Sequence, residues 1–160
     1  MTPFFNRPDR VADLREVALT WLGTPFVESS GAKARPGVCA DCCWVAMPLQ
    51  RLGAIGEVPW PRRYVSRGGG PQMLEILLGV LDGTERLFQI WKRSAGESEV
   101  VPRTLAGDVL VFSTGTRLHH LGLVLDHGTL AHSWNGQIQL ASSLDHMDLI
   151  YAIYRPLEDA

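Results

Sequence analysis

The hydrophobic period of this chain changes near its midpoint, and few folds accommodate such a change. In the first half, apolar residues recur at helical spacing. Val11, Leu14, Val17, Ala18, Trp21 and Leu22 mark a helix over residues 9–22, stopped by Gly23 and Pro25. Asp41 is a good N-cap for a second, mostly apolar and therefore buried helix over 42–52. Pro48 lies inside it, lacks an N–H and should impose a kink or a short first turn. Pro71 opens a third helix with Met73, Leu74, Leu77, Leu78 and Leu81 as its buried face, ended by Gly83. The second half reads as strands: Leu87–Lys92, Asp108–Ser113, His120–Leu125, Thr129–Trp134, Gln137–Ala141 and Ile150–Tyr154. Asp126–Gly128 and Asn135–Gly136 are tight-turn signals between neighbouring strands. Helices first and an antiparallel meander after them predict an α+β fold.

Residues 27–40 are small, polar and broken by Gly and Pro, which reads as a loop. Residues 54–70, with Pro59, Pro61 and Gly68–Gly70, read as an irregular connection. There is no internal repeat, low-complexity tract or linker, so 1–160 is expected to be one domain. At 160 residues and 46% hydrophobic it is long enough to bury a real core. The net charge of −2 gives no general reason to expect nucleic acid or an anionic membrane as partner. No apolar run approaches the roughly 18 residues that span a bilayer. The first residues, MTPFFNRPDRVADLRE, carry charges where an export signal needs an apolar stretch. Localisation is therefore left open between the cytoplasm, a particle and delivery by another machine.

All three cysteines, Cys39, Cys42 and Cys43, fall within five positions, which cannot build a disulfide framework. Cys42 directly follows the N-cap candidate Asp41. Unpaired N–H groups and the dipole at a helix start stabilise a thiolate there. Cys43 is about 100° further round and cannot share that geometry. The plainer reading of Cys42 is a small buried residue, as free cysteines usually are.

His120 and His132 lie twelve positions apart on two strands joined by the Asp126–Gly128 turn. A hairpin closed there pairs positions whose numbers sum to about 254, which makes the two histidines near cross-strand neighbours. Alternation puts both on one face. A base histidine held by a second polar group suits nucleophilic catalysis; two half-buried strand histidines are the alternative. His119 points to the other face, His127 lies in the turn and His146 in a polar loop, and these three read as structural. Cys39 and Cys42 also form a C-x-x-C spacing. With His120 and His132 it could supply four zinc ligands, or alone a redox pair, but it lacks a second C-x-x-C, a His-x₃₋₅-His partner and a βαβ context. Trp21 and Trp44 read as core. Trp60, between two prolines, and Trp134, beside a hairpin turn, read as exposed groove residues. Asp41, Trp60 and Trp134 are the candidate substrate contacts.

Leu22-Gly-Thr-Pro-Phe26, Asp41-Cys42, Gly107-Asp-Val-Leu-Val-Phe112, His120-Leu-Gly-Leu-Val-Leu125 and Leu130-Ala-His132 occur in the order and spacing of the NlpC/P60 cysteine peptidases. The chain resembles that family from about residue 10 to about 154, and within it the short single-domain branch encoded with phage tails and gene-transfer particles. The resemblance implies a papain-like α+β fold, N-terminal helices packed on a C-terminal antiparallel sheet. It implies hydrolysis of peptide or amide bonds in bacterial cell-wall stem peptides, often next to D-glutamate and diaminopimelate. It makes Cys42 the nucleophile, His120 the general base and then acid, and His132 the group that orients His120, with no metal or cofactor. It offers phage tail-tip or secretion-machine proteins as partners. Four features depart from the family pattern: Cys43 and Trp44 follow the nucleophile where small residues are usual, Phe26 replaces a common tyrosine, Glu28-Ser29-Ser30-Gly31 replaces a glycine pair, and Cys39 is extra. A non-catalytic tail-assembly or wall-binding module, a zinc domain and acyl transfer on the same scaffold are the competing functions.

Overall fold

Strand β7 (Ile150–Glu158) organises the sheet because it is long enough to serve several partners. In the computed structural model, which describes residues 1–28, 30–61, 71–95, 100–113 and 119–159, β7 pairs antiparallel with β1 (Thr2–Pro3), β2 (Leu87–Lys92) and β3 (Val109–Ser113). The sheet continues through β4 (His119–Asp126), β5 (Thr129–Trp134) and β6 (Gln137–Ser142), in the order β1-β7-β3-β4-β5-β6, with β2 also on β7. Three helices precede or interrupt it: α1 (Pro8–Leu19), α2 (Ala46–Arg51) and α3 (Pro71–Asp82). The fold is α+β. No helix among the described residues is long and apolar enough to cross a membrane.

Strand alternation gives the sheet two buried faces. Val109, Val111, Leu121, Leu123 and Leu125 point to the helices and share one core with Leu14, Ala18, Trp44, Leu49 and Leu77. Each such side chain, taken out of water, contributes about 1.5–3 kcal/mol before entropy is counted. Leu110, Phe112, Val124, Leu130, Ile150 and Ile153 form a second, smaller cluster on the opposite face. Met147 and Leu149 cover it from the 3₁₀ segment Ser143–Leu149. His120 of β4 and His132 of β5 are on this second face, since Phe112 pairs with His120 and Gly122 with His132.

The expected elements are present, with three informative differences. The first helix ends at Leu19, and Thr20–Gly23 turn away to place Gly23 at φ +76°, a conformation glycine adopts freely. The second helix is not continuous. Cys42–Val45 is a 3₁₀ turn that becomes α-helical only at Ala46. Pro48 has no N–H for the carbonyl of Trp44, so the turn before it tightens to shorter-range bonds such as Trp44 N to Asp41 O at 3.2 Å. The last strand runs to Glu158, four residues past the expected end, because β1 and β2 pair its second half. The short β1 and the 3₁₀ segment Ser143–Leu149 carry no periodic signal in the sequence. Gly68–Gly70 lie outside the described residues.

Candidate active site

The Leu22–Phe26 motif works as a stitch. Gly23 N donates to Ile138 O at 2.8 Å, and Ile138 N to Thr24 O at 3.0 Å, which ties the segment to β6. Phe26 N reaches Gly136 O at 2.8 Å in the β5–β6 turn. On its other side Ala40 N donates to Pro25 O and Val27 N to Ala40 O. The stitch therefore brings Ala40, and with it Asp41 and Cys42, beside the Asn135–Gly136 turn. Asn135 at φ +51° and Gly136 at φ +84° give that turn the left-handed pair a two-residue hairpin demands.

Asp41 is buried, and its carboxylate is fully used by the backbone. Oδ1 accepts from Cys43 N at 2.9 Å and Oδ2 from Gly31 N at 3.0 Å. It thus caps the Cys42 turn and ties that turn to the preceding loop. Burial pushes its pKa up, and the N–H groups of Gly31 and Cys43 pull the other way. Cys42 is the first residue of the 3₁₀ turn and is 8% exposed. That turn packs on β4 and β5. Cys43 is deeper. The adjacent Cys42 thiol raises its pKa well above the ordinary thiol range, and burial and the nearby Asp41 charge add to the shift. Cys43 is therefore a buried, protonated neighbour of Cys42.

His120 and His132 meet. His120 Nε2 lies 3.2 Å from His132 Nδ1. Burial, with His132 and His146 nearby, lowers the His120 pKa to about 3. Burial and His146 lower that of His132 to about 4. Both rings are neutral at pH 7, so the bond between them is a neutral N–H to N bond. With Nε2–H of His120 as donor, its Nδ1 carries the free lone pair. Among the described residues no hydrogen bond joins Cys42 to His120, and the polar partner of His120 is His132.

Aromatic rings enclose the pair. Trp134, 40% exposed, stacks on His132 with planes 9° apart and centroids 5.6 Å apart. Phe112 stacks on His120 at 6.1 Å. Gly122 makes room for this: a Cβ there would meet Phe112 Cε2 at 3.0 Å and Leu130 Cδ1 at 3.2 Å. His146 joins the cluster from the 3₁₀ segment, with its ring 5.7 Å from His132, 6.4 Å from Trp134 and 6.2 Å from Phe112. Sequence reading takes His146 as a loop residue because only tertiary packing of an aperiodic segment brings it there.

The remaining candidates are elsewhere. Trp60 is half-buried against the helix-side core, away from the imidazoles. Trp21 and Trp44 are buried partners with centroids 5.6 Å apart. Cys39 belongs to a small bridge with Arg35, and its sulfur lies 3.5 Å from Lys33 O. Among the described residues no group of three or more His, Cys, Asp or Glu is placed to hold a metal ion. No protein-family model and no curated protein matches the chain.

Proposed function

We propose that the protein is a cysteine peptidase or amidase of the papain-like NlpC/P60 type, acting on the stem peptides of bacterial peptidoglycan. The observation that carries this reading is the His120 Nε2–His132 Nδ1 bond on the strands against which the Cys42 turn packs. A base, the group that orients it and a capped thiol come from three separated stretches of sequence. Nucleophilic catalysis needs these three groups, and in this reading the Cys42–His120 contact is a step that forms with substrate.

In the proposed reaction the Cys42 sulfur attacks the carbonyl carbon of the scissile amide as His120 Nδ1 takes the thiol proton. The Cys42 N–H, at the start of its turn, is a natural donor to the oxyanion. Collapse breaks the C–N bond, and His120 returns the proton to the leaving amine. Water, deprotonated by the same nitrogen, then splits the thioester and frees the acid and the thiol. A burial-lowered pKa suits the second proton transfer, because an imidazolium in that site is a strong acid. His132 steadies His120 from behind, and Trp134 presents an exposed aromatic face beside the pair.

The experiment is digestion of purified cell wall and isolated stem peptides with mass readout. New amine and acid termini are expected from the native protein, and none from Cys42→Ala or His120→Ala. Wall that is bound but never cleaved overturns the enzymatic reading. It favours instead a binding or tail-assembly module on the same scaffold, which the missing Cys42–His120 hydrogen bond keeps as the second reading.

A further inference from the structure

A cavity of about 420 Å³ lies near the Asp126–Gly128 turn. That size falls within the range of about 300–1,000 Å³ usual for small-ligand sites. Its lining divides by chemistry. Val101, Met147 and Ile150 belong to or pack against the second-face core and supply an apolar floor. Arg103 and His127, both exposed, supply the polar part with Thr104 and Ser143, and among the described residues no Asp or Glu lines the cavity.

The Arg103–His127 contact is unusual in its charge. Arg103 Nη2 is 2.7 Å from His127 Nε2. A guanidinium only donates, so the imidazole accepts and leaves the positive charge uncompensated. Among the described residues the ion-paired arginines are Arg7, Arg10, Arg15 and Arg155, and Arg103 is not one of them. Its backbone is anchored all the same. Arg155, held by two bonds to the buried Asp108, donates to Arg103 O at 3.4 Å. A fixed main chain thus carries, over an apolar floor, a cation with no ion-pair partner among the described residues.

We propose that this cavity binds a small organic carboxylate with a short aliphatic body. Arg103 and His127 hold the carboxylate, and the aliphatic part lies on Val101, Met147 and Ile150. Both the chain terminus of a peptide ending in a small apolar residue and a short fatty acid have this chemistry. The site does not depend on Cys42 or on hydrolysis.

The test titrates the full-length protein, followed by amide and histidine-ring NMR, with hexanoate, N-acetyl-alanyl-alanine and the neutral hexanamide. Saturable shifts at His127 and around Met147 are expected from at least one acid, with hexanamide weaker by about tenfold or more. Arg103→Gln should weaken the acid by a similar factor, and Val101→Phe, which fills the floor, should do so while Arg103 stays intact. The tighter of the two acids identifies the source. The proposal is overturned if neither acid gives saturable shifts, if hexanamide binds as well as hexanoate, or if Arg103→Gln binds like the native protein.

Discussion

His120 Nε2 and His132 Nδ1 are 3.2 Å apart, on adjacent antiparallel strands and offset by two residues from direct opposition. The offset lets one ring stand behind the other. If His132 orients the base, His132→Ala should lower turnover of stem peptides by about 10²-fold. His132→Asn, which keeps a hydrogen-bond acceptor, should recover part of that loss. Steady-state kinetics on both variants, with thermal melts to exclude unfolding, check this.

Acid should destabilise the fold through the same pair. The folded pKa values of about 3 and about 4 lie below the ordinary 6.5. Between those limits the unfolded chain binds more protons than the folded one, so stability is full above about pH 6.5 and falls as the pH drops toward about 3. Melting curves across that interval should show a smaller fall for His120→Gln than for the native protein. The acid limb of activity should likewise lie below the usual histidine range.

Gly122 faces His132 in the strand register and lies under the Phe112 ring. Gly122→Ala pushes a methyl group against Phe112 at 3.0 Å and Leu130 at 3.2 Å. Overpacking of this kind costs about 1–3 kcal/mol. Because Phe112 also stacks on His120, chemical denaturation should show reduced stability together with a shifted His120 ring resonance.

Asp41→Ala leaves the N–H groups of Gly31 and Cys43 without their side-chain acceptor. An orphaned buried donor costs about 1–3 kcal/mol. Asp41→Asn, with one acceptor oxygen remaining, should lose less. Urea unfolding of the two variants ranks them, and equal stability of both with the native protein would contradict the capping role.

The sequence makes the His120–His132 relationship readable because it depends on two strong local rules. A tight turn at Asp126–Gly128 sets the register, and strand alternation sets the face. The observed pairing of Gly122 with His132 is the register those rules require. The α+β order is readable for the same reason, since the hydrophobic period changes once. Other features depend on contacts with no local signature. His146 reaches the cluster only because the Ser143–Leu149 segment folds over the second face of the sheet. The role of Asp41 needed the position of Gly31, ten residues away through an aperiodic loop. Trp60 sits between prolines, a surface-like pattern, yet packs against the helix-side core because Val58 beside it is buried there.

The proposed activation of the Cys42 sulfur by His120 can be tested without any substrate. The measurement is competitive alkylation with limiting iodoacetamide at mildly acidic pH, with the three thiols mapped by mass spectrometry. Cys42 is expected to be modified before the more exposed Cys39 and the deeply buried Cys43, and His120→Ala should remove this preference. Modification of Cys39 first in the native protein, or an unchanged preference in His120→Ala, would contradict it.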